Sequence, residues 1–487
     1  MAVPYATQAQ SAERPLTIGT TEPIVTLDPA DSDNFFVWEY LTPLYTGLTR
    51  QKTNSLTYEL ALAASHRVSE DGLTHTFAIR ADATFSDGTP ITAVTFADSI
   101  TRSLTLGRAR DIIARYVSSA TANADGTLQI TLTAPIPYIY QLLALPPFFP
   151  THPNSFPRDK IERAPKTLIT NGVYRIKAFD FGLIAYEADP AWRGTPPSSA
   201  ELTIKRYERA SALRRELENG AIDLIWRGLP PEDGARLLAQ DGFREERVPS
   251  LQTFYLAVTQ NKEPYDVLAA RQALEYLVDR EQAVSVGLKG YGSPLYTLLP
   301  SQLAAANDFA YPKFDLDQAQ EVLTAGGFSR YKQLASELQT ARMMYGESVV
   351  SGADQLLGQL SALDSVRIAR FDTEPRTFLD QIQRRAYRLI LVGFTPLVPH
   401  PHAILSPLLT EEVAIGAEYN NPQVKDLLTQ AALSDDATLY TRIQAAAAAD
   451  VVLIPLWQGV QTLYARKDIR GVLIEPNSLL RYEQLAR

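Results

Sequence analysis

The carboxyl-terminal half of the 487-residue chain alternates helical segments with apolar strand segments. Helices are predicted over 266–283, 349–363, 374–386 and 440–452, and strands over 366–371, 389–392 and 453–464. The strand at 389–392 consists of four apolar residues in a row, which is typical of a strand covered on both faces. Such strands, alternating with helices, indicate a parallel α/β sheet.

The amino-terminal part combines short strands, turns and helices. Strands are predicted over 16–20, 74–79 and 128–132, and helices over 35–48 and 95–106. Turn clusters stand at 86–90 and 123–126, where glycine supplies a positive φ. A proline-rich run over 146–158 cannot serve interior backbone hydrogen bonds and indicates a connector. The stretch 74–133, which consists mostly of predicted strands and turns, is therefore expected to form a small domain of its own.

Length and composition exclude several classes of protein. A chain of this length exceeds one compact domain, so two or three lobes are expected. The net charge of −9 leaves no basic surplus to neutralise phosphates, so we expect no nucleic-acid partner. The absence of cysteine excludes disulfides, thiolate metal sites and a lipid-anchoring thiol. No apolar run approaches the ~18 residues that span a bilayer.

The first fifteen residues are mostly small and polar, without the basic segment and apolar core of a secretory signal. We expect 1–15 to be a disordered spacer of the kind that follows such a signal. A removed signal, an internal start and a cytoplasmic protein are all compatible with this segment.

No catalytic motif stands out. The five histidines form no H-E-x-x-H pair, and neither a G-x-S-x-G elbow nor a Walker phosphate loop is present. No pair of carboxylates is marked by its spacing for acid–base chemistry. We therefore expect neither an enzyme nor a bound cofactor.

His400 and His402 form one chemically suggestive pair. On an extended segment they share a face, and two imidazoles could bind one metal ion or one carboxylate. The alternative is a proline-rich loop whose rings pack or face solvent, because two ligands alone make an incomplete metal site.

Two segments carry a resemblance to a known family: 68–80, VSEDGLTHTFAIR, and 85–93, FSDGTPITA. They resemble the patterns D-G-x-x-x-x-F-x-L-R and F-x-D-G-x-P-x-T-A of the family 5 extracellular solute-binding proteins, the peptide and nickel class. Similar segments follow in family order, so the resemblance covers about 16–475. They are 27–29 (LDP), 44–48 (LYTGL), 171–174 (NGVY), 220–223 (GAID), 271–274 (RQAL), 278–281 (VDRE) and 454–456 (IPL).

The resemblance implies an α/β, bilobed, periplasmic-binding-protein-like fold of type II with an extra small α+β domain. The expected lobe I consists of 16–49, 173–257 and 465–487, the extra domain of 50–172, and the doubly wound lobe II of 258–464. The segment 68–93 is expected to be scaffold that touches no solute.

The resemblance also implies a solute-binding receptor of an ABC importer, in the periplasm or outside the cell. Such a receptor captures a solute between its lobes by hinge closure and delivers it to a membrane permease. A peptide-like or other small organic solute, a monomeric state and no catalysis are expected. Two alternatives are a hydrolase on this fold, which needs a close nucleophile–base pair, and a non-transport sensor or chaperone.

One segment departs from the family pattern. Peptide-binding members usually carry an aspartate shortly after the strand that matches 389–394, where it pairs with the amino terminus of the peptide. Here 393–402 reads GFTPLVPHPH and contains no acid, so a buried ammonium would lack a counter-charge. Nickel-complex binders place aromatics and a histidine there, so a nickel or metal-chelate receptor using His400 and His402 is an alternative. A neutral or anionic solute, such as a blocked peptide or a sugar, is equally open.

Candidate solute-binding residues follow from their expected positions near the cleft, including the carboxyl ends of lobe II strands. They are Asn34, Phe35, Tyr45, Trp226, Arg227, Thr253, Tyr255, Phe394, His400 and His402. For Trp192, Trp226 and Trp457, pocket lining and core packing are equally expected.

Overall fold

The computed structural model describes residues 14–303, 309–410, 419–434 and 436–487, without the side chains of 342–350. The strands are β1 (Leu16–Thr20), β2 (Thr49–Gln51), β3 (Tyr58–Leu60), β4 (Ala63–Val68), β5 (Thr74–Ile79), β6 (Val117–Ala122), β7 (Leu128–Leu132), β8 (Tyr174–Asp180), β9 (Leu183–Ala188), β10 (Glu201–Arg206), β11 (Leu224–Trp226), β12 (Phe243–Val258), β13 (Ser293–Pro294), β14 (Leu334–Thr340), β15 (Val366–Asp372), β16 (Leu389–Phe394) and β17 (Leu453–Arg466). The expected disorder of the first residues concerns 1–13, which lie outside the described residues. Arg14 is described, and its guanidinium pairs with Asp223 at 2.6 Å.

The helices surround these strands. They are α1 (Phe35–Leu41), α2 (Ala93–Thr105), α3 (Arg110–Ile113), α4 (Ile139–Leu143), α5 (Ala210–Glu218), α6 (Pro231–Leu238), α7 (Leu268–Leu277), α8 (Arg280–Gln282), α9 (Leu316–Ala325), α10 (Arg342–Leu360), α11 (Pro375–Gln383), α12 (Pro401–Leu409), α13 (Pro422–Ala431) and α14 (Thr438–Asp450). Among the described residues, no helix combines the length and the apolar character that crossing a bilayer requires.

One mixed sheet runs through both halves of the molecule. Its strand order is β15-β14-β16-β12-β17-β11-β1-β10-β9-β8, and β13 pairs with β17. The strands β14, β15 and β16 are parallel, whereas β12 runs antiparallel to both β16 and β17. The prediction of a parallel sheet is therefore right for three strands and wrong for the other two. The chain enters this half of the sheet along β12 and leaves it along β17, so these two strands run in opposite directions.

The sheet is covered on both faces in this half, as the apolar run at 389–392 predicts. Leu389 and Leu391 of β16 pack into one hydrophobic core, while Ile390 and Val392 pack into another on the opposite face. Successive side chains of a strand point to opposite faces, so a strand that lies between two hydrophobic cores carries apolar side chains at consecutive positions.

The helix predicted over 266–283 is interrupted. The helix α7 ends at Leu277, and Val278 and Asp279 are extended before α8 begins. The Asp279 carboxylate accepts a hydrogen bond from the Gln282 amide, while the Asp279 amide donates to the Gln359 side chain at 3.1 Å. The prediction of one continuous helix is therefore wrong, because a contact with α10 holds the break.

The extra domain contains a four-stranded sheet of order β4-β5-β7-β6, against which α2 packs. Gly88 has φ +86° and Gly126 has φ +83°, as the two predicted turns require. The helix expected over 35–48 is shorter, since α1 gives way to a 3-10 turn over Thr42–Leu44 that includes Pro43. The helix expected over 95–106 corresponds to α2.

The strands β12 and β17 belong to both halves of the molecule. Residues 253–258 of β12 pair with β16, while residues 243–249 pair with the end of β17, which also pairs with β11. The β12–β17 register shifts between Pro249 and Thr253. The lobe boundary predicted after residue 257 lies beyond this irregularity, within the part of β12 that pairs with β16.

Candidate solute-binding cleft

A cavity of about 910 Å³ lies where the expected lobes and the extra domain meet. Five segments supply most of its lining: 35–59, 141–149, 192–198, 397–399 and 475–484. In the division predicted from the sequence, the first, third and fifth fall in lobe I and the start of the extra domain, the second in the extra domain, and the fourth in lobe II. Segments that are distant in the sequence therefore share one wall.

One face of α1 lines this cavity. Phe35, Trp38, Glu39 and Thr42 contribute to the lining and follow the spacing of a single helical face. Asn34 caps the helix, since its side-chain oxygen accepts from the amides of Phe36 and Val37. The structure places Asn34 outside the lining, where it orients Phe35.

Glu39 is buried and held by three partners. The Trp226 indole and the Tyr482 hydroxyl both donate to Glu39 Oε1, and the Arg227 guanidinium lies 2.8 Å from Oε2. Burial raises the pKa of Glu39, against the lowering effects of Arg227 and the two hydrogen bonds. Trp226 and Arg227 do not line the cavity but hold a carboxylate that does.

The carboxyl-terminal segment brings a charged cluster to the same cavity. Arg481 donates to Glu475 at 2.7 Å and lies 3.4 Å from Glu483. The side chain of Glu475 is 1% exposed, and its second oxygen accepts no hydrogen bond from the described residues. Asn477 donates to Gln51 and so joins this segment to β2.

The extra domain adds two more cations to the lining. Arg50 pairs with Glu59 at 2.8 Å across the β2–β3 hairpin. Lys52, which is exposed, has no ion pair with a described residue. Acidic and basic side chains thus both reach the cavity, which favours solutes that carry polar groups of both kinds.

Aromatic side chains complete the wall. The rings of Tyr45 and Phe149 lie 5.7 Å apart, and Trp192 contributes from the loop after β9. Burial raises the pKa of Tyr45 well above its usual value. Of the three tryptophans considered above, Trp192 lines the cavity, whereas Trp457 is core and stacks on Phe254 at 5.5 Å.

Lobe II reaches the cavity through Leu397, Val398 and Pro399. Val398 and Ala403 form a small apolar cluster with Tyr138 of the extra domain. This cluster is a direct contact between the segment that follows β16 and the start of α4, at the edge of the cavity.

His400 and His402 lie beside this contact and outside the lining. His400 Nδ1 accepts from the His402 amide and caps α12, and its ring lies 5.3 Å from that of Tyr138. His402 Nε2 donates to the Leu428 carbonyl at 3.2 Å, since a carbonyl can only accept. Burial lowers the pKa of His400 to about 4 and lowers that of His402. Within the described residues, no group of three histidine, aspartate or glutamate side chains is placed to hold a metal ion.

Of the three other candidate residues, Thr253 and Tyr255 are buried and Phe394 is partly exposed. The Thr253 hydroxyl donates to the Tyr255 hydroxyl at 2.8 Å, and Tyr255 donates to the Leu298 carbonyl at 2.6 Å. Phe394 is half-buried and packs against the core of lobe II. Of the ten candidates, Phe35 and Tyr45 therefore line the cavity, and the other eight lie outside its lining.

The segment 475–484 was missed by sequence reasoning. It carries no regular periodicity, and nothing local places it beside α1. The helical face of α1 could have been found, because Phe35, Trp38 and Glu39 follow its capping asparagine at helical spacing.

The lining offers little for covalent catalysis. Its described residues include no histidine, and Glu39, Glu59, Glu475 and Glu483 are all engaged by arginines. The lining thus offers neither an imidazole nor a carboxylate without an arginine partner as a general base, whereas contacts suited to binding are numerous.

The comparison with known families decides the class of protein. The family described as "Bacterial extracellular solute-binding proteins, family 5 Middle" matches residues 57–414. The chain belongs to this family. The expected family and the bilobed α/β fold are thus confirmed.

Individual relatives are similar over 79% or more of their length. The chain is 24% identical over 445 residues to the periplasmic oligopeptide-binding protein OppA of Escherichia coli strain K12, covering 82% of this chain and 79% of that protein. It is 23% identical over 496 residues to the glutathione-binding protein GsiB of Escherichia coli O1:K1, covering 97% and 94%. The structure of HbpA2 from Haemophilus parasuis matches with a TM-score of 0.86 at 18% identity, covering 97% of this chain and 99% of that one. Family 5 proteins are binding proteins, and these relatives share the fold described above.

Proposed function

We propose that this protein is the receptor of an ABC importer that captures a peptide-like solute in the 910 Å³ cavity. The observation that carries the proposal is the composition of the cavity wall, which combines aromatic rings with both acidic and basic side chains. A peptide has amide, apolar and charged groups, and the aromatic, acidic and basic side chains of the cavity wall can contact each of them. The oligopeptide and glutathione named for two relatives support the same class of solute.

Hinge closure is the second part of the proposal. The strands β12 and β17 join the lobes, and their irregular pairing between Pro249 and Thr253 is a place where backbone angles can change without breaking a regular ladder. Solute bound between lobe I and 397–399 contacts both sides, so it stabilises the closed form over the open form.

The remaining parts of the proposal concern setting and partners. The receptor acts in the periplasm or outside the cell, as a monomer that docks on a membrane permease in its closed form and catalyses no reaction. It has no nucleic-acid partner, in keeping with the net charge of −9. A metal receptor built on His400 and His402 is not proposed, because one nitrogen of each ring is already used within the fold.

A screen of thermal unfolding tests the proposal. Di- to pentapeptides, blocked peptides, sugars and nickel chelates are added separately to the purified protein. We expect a peptide to raise the unfolding temperature, since ligand at a hundred times its Kd stabilises the folded state by about 2.7 kcal/mol. If sugars or chelates stabilise the protein and no peptide does, the solute class is wrong.

Tryptophan fluorescence locates the binding site. Trp192 lines the cavity, and Trp457 is buried in the core of lobe II. We expect the emission change caused by the best peptide to be reduced in Trp192→Phe, with the remainder coming from Trp38 of the same lining, and to be kept in full in the matched control Trp457→Phe. The reverse pattern would place the solute elsewhere.

A further inference from the structure

A second chamber of about 300 Å³ adjoins the main cavity. Thr46, Arg50, Trp192 and Gly194 line both spaces, so the two share a common wall. The rest of the second lining comes from 60–62, 80–86, 171–172, 189 and 191–193. A space of this size is at the lower limit for a ligand pocket, so it suits one group of a solute rather than a whole solute.

The charges in this second chamber cancel. The charged residues of its lining are Arg50, Arg80, Arg193, Asp82 and Asp189. The Arg80 guanidinium donates to both oxygens of Asp82, at 2.9 and 2.7 Å, and Arg50 is paired with Glu59 at 2.8 Å. Arg193 and Asp189 then contribute one charge of each sign. A charged group that entered the chamber would lose hydration without gaining an unmatched counter-charge.

The buried part of the lining is mainly apolar. Ala61, Ala83 and Phe85 are buried, and Leu60 and Leu62 are partly buried against the core of the extra domain. The three arginines and Asp82, in contrast, are exposed. The paired charges therefore lie toward the solvent, and the deeper wall offers apolar surface.

The buried polar groups of the chamber already have partners. The Asn171 side chain accepts from the Thr46 amide at 3.2 Å and donates to the Thr46 carbonyl at 3.0 Å. The Asp189 carboxylate accepts from the Ala191 amide at 2.8 Å. These groups therefore serve the fold, and apolar contact is what the chamber can give a ligand.

The ring of Trp192 forms part of the wall that the two chambers share. Its indole N–H donates to the Thr195 carbonyl at 3.0 Å, and a side chain at Gly194 would place its first carbon 2.6 Å from the ring. The ring therefore rests directly on the glycine backbone. A solute that extends from one chamber into the other passes this held apolar surface.

We infer that the second chamber binds an uncharged, apolar side group of a solute whose main part lies in the 910 Å³ cavity. This inference rests on the proposed function, because it divides one peptide-like solute between the two chambers. The receptor then distinguishes peptides of equal length by the apolar group at one position. Residues 80–86, within the segment 68–93 that was expected to be scaffold, contact that group.

The test varies one position of the ligand at a time. The tightest-binding peptide from the unfolding screen is prepared with alanine, leucine, glutamate or lysine at each position in turn, and every peptide is titrated by calorimetry. At one position we expect leucine to bind about tenfold more tightly than alanine, because more apolar surface leaves water. Glutamate and lysine are expected to bind no better than alanine there, because the chamber has no unmatched counter-charge.

Two variants fill the chamber from different segments. Ala191→Leu and Thr84→Leu each add apolar volume at a residue that lines the second chamber and not the main cavity. Each is expected to abolish the leucine preference at that position, while the alanine peptide still binds. Ala235→Leu, at an exposed position of α6 outside both chambers, is the matched control and should keep the preference. Circular dichroism checks that each variant is folded.

Each result has a definite reading. A preference that is lost in either folded chamber variant and kept in the control supports the inference. If every leucine preference persists in both chamber variants, or if the control loses it as well, the inference is overturned and the proposed function stands. The same holds if glutamate or lysine binds best at the position that the chamber variants affect. If no peptide binds the unmodified protein, the proposed function fails and the inference fails with it.

Discussion

Asp28, in the short L-D-P segment near the start of the chain, shows what a single residue does for the fold. Its carboxylate accepts from both terminal nitrogens of Arg102 at 2.6 Å, and also from the amides of Ala30 and Glu162. Arg102 belongs to α2, so this buried pair ties the segment after β1 to α2. The side chains are 0% and 4% exposed, respectively.

Replacing Asp28 with asparagine is expected to lower the free energy of unfolding by about 3–5 kcal/mol, because Arg102 would remain as a buried, uncompensated charge. Urea denaturation measures the change. The control is Glu201→Gln, which breaks a half-exposed pair with Lys177 and should cost less than about 1 kcal/mol. Equal effects of the two substitutions would mean that the buried pair is not what joins the domains.

At the scale of elements, α12 depends on the histidine before it. A neutral His400 ring caps the helix through Nδ1, and it lies between the rings of Tyr138 and Tyr440. Protonation of His400 would remove the Nδ1 acceptor that caps the helix and would place a positive charge beside His402. The folded state therefore favours the neutral ring, in agreement with its lowered pKa.

The stability of the protein should consequently fall in weak acid. The pKa of His400 is about 4 in the folded state and about 6.5 in the unfolded state, so the unfolded chain binds more protons between these values. The contribution of His400 is complete above pH 6.5 and is lost as the pH falls toward 4. His400→Asn keeps a capping oxygen and does not titrate. Between pH 7 and 4, the variant is expected to lose about 2–3 kcal/mol less than the unmodified protein in urea unfolding. If the variant and the unmodified protein lost the same free energy of unfolding between pH 7 and 4, the assignment of this pH dependence to His400 would be wrong.

At the scale of the whole molecule, the lobes are joined in two ways. The strands β12 and β17 are covalent connections, whereas Tyr138, Val398 and Ala403 form a contact between the predicted extra domain and the predicted lobe II. A contact across the cleft contributes to solute affinity when it is stronger in the closed form, because binding and closure are then coupled.

Tyr138→Ala is expected to weaken solute binding by about tenfold, since the closed form loses an apolar contact that the open form does not need. Calorimetric titration with the best peptide measures the change, and circular dichroism checks that the variant is folded. Phe181→Ala, an exposed aromatic residue on lobe I, is the control and should bind normally. Unchanged affinity in Tyr138→Ala would show that this contact does not take part in closure.

The sequence by itself determined the features that depend on neighbours along the chain. The turns at Gly88 and Gly126, the strand at 389–392 and the family-specific spacing of 68–93 are local patterns, and the structure contains all of them. Turn geometry and side-chain alternation follow from residues a few positions apart, so they can be read without knowing the fold.

Only the tertiary structure decided which residues line the cleft. Phe35 and Tyr45 line the cavity, whereas Trp226 and Arg227 contact Glu39 without lining it, and 475–484 enters from the far end of the chain. The break after α7 also depends on a residue far away in the sequence, because the Asp279 amide donates a hydrogen bond to the Gln359 side chain. These contacts join residues that lie far apart in the sequence, and their partners become neighbours only when β12 and β17 align the two halves of the sheet.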